Sequence, residues 1–155
     1  LGVLPIIWLM VVFSYAYGHA FAAQDRFEQV RISRIVAAAS SLQTRSPSQP
    51  FRSVAVKGTM PRSPVLQNTV RKFPLIDRLI PPLLDGNQTF SVTQLRFHGL
   101  ELSERRPRKI KDSFPQECVS SVDAICTGEF SLYKVDHDDL LLEITTPATS
   151  KRSRT

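Results

Sequence analysis

His137 stands among Asp136, Asp138 and Asp139, a grouping of imidazole and carboxylates that could bind a metal or move protons. Adjacent acids at a hairpin tip form a solvated turn more readily than a site, because a mobile loop lacks the outer hydrogen bonds that hold ligands in place. No metal site is expected there. His98, before Gly99, is a lone histidine suited to core or surface. His19 lies inside an apolar run, where an ionisable group is a functional candidate by position, although it is close enough to the end of the run to face an interface. No Ser/His/Asp order with a nucleophile elbow, no phosphate-binding glycine loop and no paired-carboxylate motif is readable. No catalytic residue is therefore assigned, and no cofactor is expected.

Cations offer a different chemistry. Lys57, Arg62, Arg71, Lys72 and Arg78 read as basic loop residues, and guanidinium forks pair well with phosphate oxygens. They could hold a phosphorylated ligand or form a solvated basic face. The two cysteines, Cys118 and Cys126, stand eight positions apart on either side of a short polar segment. In an exported domain such a pair closes one disulfide; the alternative is two unrelated buried thiols. Asn87-Gln88-Thr89 matches a glycosylation acceptor pattern, which carries meaning only in a chain exported from a eukaryotic cell.

The elements that must position these groups begin with a stretch, Leu1 to Ala23, holding no Asp, Glu, Lys or Arg. Its length suits a hydrocarbon core, which takes a helix of about 20 residues. Trp8, Tyr15 and Tyr17 suit a membrane interface. A cleavable signal is the competing reading: Ala20-Phe21-Ala22 resembles a cleavage site, but no basic n-region precedes the apolar run. The chain reads as a fragment of a longer protein, or as a reading frame that opens at an unusual start. Roughly 130 residues remain for folding in water, enough for one small domain.

The net charge of +6 is unevenly spread. Gln24 to Leu100 carries 11 Lys/Arg against 4 Asp/Glu, whereas Glu101 to Thr155 carries 9 against 10. Basic surface next to a bilayer favours anionic lipid head groups or phosphorylated ligands. No RNA-module signature or basic helix with interleaved aromatics accompanies it, so nucleic acid is not an expected partner. Arg26, Arg31 and Arg34 close to the apolar run would by themselves put the downstream domain in the cytoplasm, and the cysteine pair argues for export.

Along the chain, Phe27, Val30, Ile35, Ala38 and Leu42 recur near helical spacing, so an amphipathic stalk helix over 24–46 should continue the transmembrane helix over 1–23. Pro47 and Pro50 break it. Ser53 to Lys57 reads as a strand closed by Gly58, and Ser63 as the cap of a helix starting at Pro64 and ending before Pro74. Leu75 to Ile80 is either a strand or one helical turn, stopped by Pro81-Pro82. Phe90 to Phe97 is helix or strand, with Gly99 as a stop. Arg105 to Lys111 is a basic loop. Phe130 to Val135 and Leu140 to Thr145 form a hairpin around Asp136 to Asp139. The expected fold is one transmembrane helix followed by a small mixed α/β domain over 51–146, with a disordered basic tail over 147–155.

One block is more specific than composition. Val54-Ala-Val-Lys-Gly-Thr-Met-Pro-Arg-Ser-Pro64, then Asn68, then Arg71-Lys-Phe-Pro-Leu-Ile-Asp-Arg-Leu-Ile-Pro81, resembles the C-terminal region of bacterial membrane glucosyltransferases of the phage serotype-converting type, the O-antigen glucosyl transferase II kind. The resemblance covers Phe21 to Leu100, and Glu101 onward has no counterpart in it. It implies a polyprenyl-phosphate-linked sugar donor, glucosyl transfer to lipopolysaccharide O-antigen or a related glycan acceptor, contact with membrane lipids, and a folded domain on the periplasmic side of the bacterial inner membrane. The family's catalytic carboxylates belong to an early external loop with no match here. The fragment alone should be inactive, with Arg62, Arg78 and Lys57 as candidate substrate contacts. The alternative is an exported or membrane-tethered binding domain without enzymatic activity.

Overall fold

The computed structural model describes residues 3–45, 51–84, 89–102, 123–135 and 139–145. Pro47 and Pro50, the acceptor asparagine Asn87, the basic loop over 105–111, Cys118, His137 with Asp136 and Asp138, and the tail over 147–155 lie outside the described residues. The described elements run α1 (Val3–Arg45), β1 (Val54–Lys57), α2 (Pro64–Lys72), α3 (Ile76–Leu79), α4 (Thr89–Phe97), β2 (Ala124–Cys126), β3 (Phe130–Val135) and β4 (Asp139–Ile144). A long apolar N-terminal helix thus precedes a small mixed sheet with helices.

α1 is unbroken over 43 residues. Its only proline, Pro5, falls in the first turn, where no intrahelical N–H is required. Its most apolar 18-residue window has mean hydropathy 1.6 and is 6% buried, so by length and composition it is long and apolar enough to cross a membrane. The chain divides into two compact units, one made of Leu1–Arg31 with Pro61–Pro82 and the other of Ile32–Met60 with Leu83–Thr155. The segment Pro61–Pro82, inside the 51–146 range expected for the folded domain, groups with the N-terminal part of α1.

In the first unit, α2 begins as the Ser63-Pro64 pair dictates. Ser63 is extended (φ −61°, ψ 150°), as a residue before proline must be, and its hydroxyl accepts the Leu66 N–H. α2 ends where Pro74 would clash. The following apolar run settles as a helical turn, because Ile76 and Ile80, four apart, are buried with Leu66 and Ala20, whereas a strand would place them on one face only with Arg78 between them.

The second unit is built on a four-stranded sheet in the order β1-β4-β3-β2. β3 and β4 pair antiparallel, from Phe130 opposite Ile144 to Val135 opposite Asp139, as the alternation in the sequence predicts. β1 pairs parallel to β4, Val54 beside Leu140. β4 is therefore central, and Leu140, Leu141 and Leu142 are all buried. One sheet face carries Val54, Leu132, Leu140, Leu142 and Ile144, packed against Ile32, Ile35, Ala39 and Leu42 of α1 and Val92 and Leu95 of α4. The 3-4-3 spacing of the α1 residues is the apolar stripe of a surface helix. The other face carries Ala55, Tyr133 and Leu141. Asp139, expected in a solvated turn, is instead the buried first residue of β4, where it accepts a 2.8 Å hydrogen bond from the Ser53 hydroxyl; pairing of β4 with β1 draws it inward.

Gly58 and Gly99 both have positive φ, 90° and 98°, but they differ in surroundings. A Cβ at Gly58 would lie 2.6 Å from the Ile144 carbonyl oxygen, and one at Gly99 would meet nothing within 4 Å. Gly99→Ala should cost only the left-handed backbone strain, about 1–2 kcal/mol, whereas Gly58→Ala adds a steric clash and should cost about 3 kcal/mol or more. Urea unfolding of the two variants in detergent, followed by far-ultraviolet circular dichroism, checks the order.

Candidate functional site: an apolar groove lined by one lysine

The first unit is held by polar groups that the sequence gives no reason to single out. Gln24 and Glu28 are each 2% exposed. Gln24 Nε2 donates to Glu28 Oε1 at 2.7 Å, and Gln24 Oε1 accepts the Ser63 N–H at 2.7 Å. α1 thereby supplies an acceptor to the residue that caps α2. The only sequence signal is two polar residues four apart directly after the uncharged run, a spacing that puts them on one helix face.

The candidate cations separate on inspection. Arg62 pairs with Asp77 of α3, and Asp77 Oδ1, shielded from solvent, has no other partner among the described residues. The Arg62 carbonyl accepts from Gln67 Nε2 at 3.0 Å, so backbone and side chain alike are committed to the fold. Lys57 Nζ lies 2.7 Å from Glu143, its direct neighbour in the β1–β4 register, which is the cross-strand charge pairing expected of a sheet. Arg71, Lys72 and Arg78 are exposed and form no ion pair among the described residues. Four of the five cations are not loop residues: Lys57 closes β1, Arg71 and Lys72 form the last turn of α2, and Arg78 lies on α3. Arg62 and Arg78 belong to the first unit and Lys57 to the second.

The first unit holds a groove of about 420 Å³, floored by Leu9, Met10 and Phe13 of α1 and walled by Phe73, Pro74 and Leu75, with Ser14 and Lys72 as its polar members. Phe13 and Phe73 meet edge to face, centroids 6.2 Å apart at 86°, a favoured aromatic geometry. Two exposed leucines, Leu75 at 67% and Leu79 at 51%, extend the apolar surface along α3. An apolar groove with the ammonium of Lys72 among its lining groups suits an amphiphile with a negative head. Among the described residues no group of three His, Cys, Asp or Glu could hold a metal ion.

Cys126 is disulfide-bonded, and Cys118, the other cysteine of the chain, lies outside the described residues. Comparison with protein-family models, curated proteins and solved structures gives no match. The site therefore stands on its own geometry.

Gln24→Leu leaves the Ser63 N–H and the Glu28 carboxyl each short of a buried partner and should destabilise the first unit by about 2–3 kcal/mol. Gln29→Leu, at an exposed position of the same helix, should stay within about 0.5 kcal/mol. Amide hydrogen exchange over α2 reads the difference, and equal protection in the two variants would deny Gln24 its anchoring role.

Proposed function

We propose that the chain is the C-terminal portion of an integral-membrane glucosyltransferase, which moves glucose from a polyprenyl-phosphate donor to lipopolysaccharide O-antigen or a related glycan. α1 crosses the bacterial inner membrane in this reading, and the folded part stands on the periplasmic side. The observation that carries it is the placement of the block resembling that family: Phe73, Pro74 and Leu75 line a groove with Leu9, Met10 and Phe13 of the apolar helix. In this reading a membrane-borne isoprenoid donor presents its phosphate beside the block so docked. The oxidised state of Cys126 supports an exported domain, since disulfides persist outside the reducing cytoplasm.

Several residues of the block take definite roles. Gly58 permits the close approach of β1 to Ile144, Ser63 and Pro64 start α2, and Arg62 is held by Asp77. Arg78 is the one of the three candidate contacts with no ion pair among the described residues, and in this reading it meets the donor phosphate. Catalysis itself belongs to carboxylates elsewhere in the intact transferase, and the present segment supports and positions.

Expression of the intact reading frame in a strain lacking O-antigen glucosylation should add one hexose per repeat unit, detected by mass spectrometry of the released polysaccharide. Arg78→Ala should lower that transfer about ten-fold or more, the loss of a charge-assisted phosphate contact. An unmodified polysaccharide with the intact protein present in the membrane would overturn the reading. Alkaline phosphatase fused after Thr155 should be active, and non-reducing peptide mapping should join Cys118 to Cys126.

A further inference from the structure

We propose that the turn from α2 into α3 is an interfacial lipid-binding element: the groove takes one acyl chain of an anionic phospholipid, and Arg71 and Lys72 hold its phosphate. The proposal rests on α1 being a membrane helix. Three observations, all within the unit of Leu1–Arg31 and Pro61–Pro82, support it.

The first is continuity of apolar surface. Leu9 and Met10 are 63% and 69% exposed and Leu75 67%, yet all three border the same groove. The second is the division of α3 between two faces. Ile76 and Ile80 are buried while Leu75 and Leu79, likewise four apart, point outward, so this short turn presents leucines where a water-soluble surface would place polar residues. The third is charge. Arg71 and Lys72 are exposed at the end of α2, and Lys72 lines the groove itself. An apolar face bordered by cations is the arrangement that adsorbs to an anionic leaflet.

The geometry also sets a depth. Lys72 shares the groove with Leu9 to Ser14, and an ammonium that cannot leave the headgroup layer fixes that layer near Ser14. Gln24 is ten residues farther along α1, about 15 Å at the helical rise. The lipid boundary then crosses α1 about two and a half turns before Ala23, and Tyr15, Tyr17 and His19 stand in the interface.

The test reconstitutes the full chain in phosphatidylcholine vesicles with or without phosphatidylglycerol, using lipids brominated near the glycerol or deep in the chain as quenchers. Trp8, the single tryptophan, reports on α1. Leu79→Trp in a Trp8→Phe background reports on α3, Leu75→Trp serves if that variant fails to fold, and Thr145→Trp in the sheet unit is the aqueous reference. Shallow bromines should quench the α3 probe, at least about two-fold more with phosphatidylglycerol present, and Arg71→Gln with Lys72→Gln should remove that increment. Deep bromines should quench Trp8. Quenching at α3 no greater than at Thr145→Trp, or equal with and without phosphatidylglycerol, overturns the proposal. Relief of quenching by trace polyprenyl phosphate would assign the groove to an isoprenoid and overturn it as well. An unquenched Trp8 removes the membrane reading itself, whereas a quenched Trp8 beside an unquenched α3 probe removes only the lipid element.

Discussion

The buried amide of Gln24 both donates and accepts, and in doing so it joins a long apolar helix to the start of a second one. Its carbonyl oxygen is used by the Ser63 N–H and its nitrogen by Glu28. Ser63 in turn satisfies Leu66 through its hydroxyl and Gln67 through its carbonyl. The N–H groups at the head of a helix have no intrahelical partner, so the direction in which α2 leaves the chain follows from where Gln24 sits. The Phe13–Phe73 contact and the burial of Ile76 and Ile80 beneath α2 complete that arrangement. Replacing the network by apolar packing would keep the contacts and lose the direction.

Local chemistry was legible where one or two residues decide an outcome. Ser63 followed by Pro64 announces a helix start, Pro74 its end, and the alternation from Phe130 onward a strand, and all three stand in the structure. The apolar stripe of α1 showed only in part: Ile35 and Leu42 are buried as the spacing predicts, but the sheet packs on Ile32 and Ala39 beside them, while Val30 is 53% exposed. Ambiguity remained where a run was too short to reveal a period. Leu75 to Ile80 fits a strand or a turn on its own residues, and only packing against Leu66 and Ala20 chooses. β2, three residues long, carries no pattern by itself, and its pairing with β3 comes from Thr127, whose hydroxyl and N–H both bond to Phe130 across the turn. The parallel pairing of β1 with β4 could not be read, since nothing near either strand encodes a partner so distant in sequence.

The same limit governs the site. The sequence showed which residues carry positive charge but not which carboxylates they meet. Lys57 and Arg62 are taken up by Glu143 and Asp77, pairs that are partly solvated and contribute on the order of 0–1 kcal/mol each. Their value lies in orientation. The groove was invisible for another reason: its two walls are separated by more than fifty residues, and each wall alone is ordinary apolar sequence.

The parallel strand pair has a consequence in time. Ser53 and Asp139, bonded at the junction of β1 and β4, are 86 residues apart. At synthesis rates of roughly 5–20 residues per second, β1 exists for some 4–17 s before β4 is made. Through that interval the Ile32 to Leu42 stripe and the β1 edge have no sheet to join, and the last strand to emerge is the central one. The nascent chain must therefore be shielded through that interval, and the β3–β4 hairpin acts as the trigger that closes the fold.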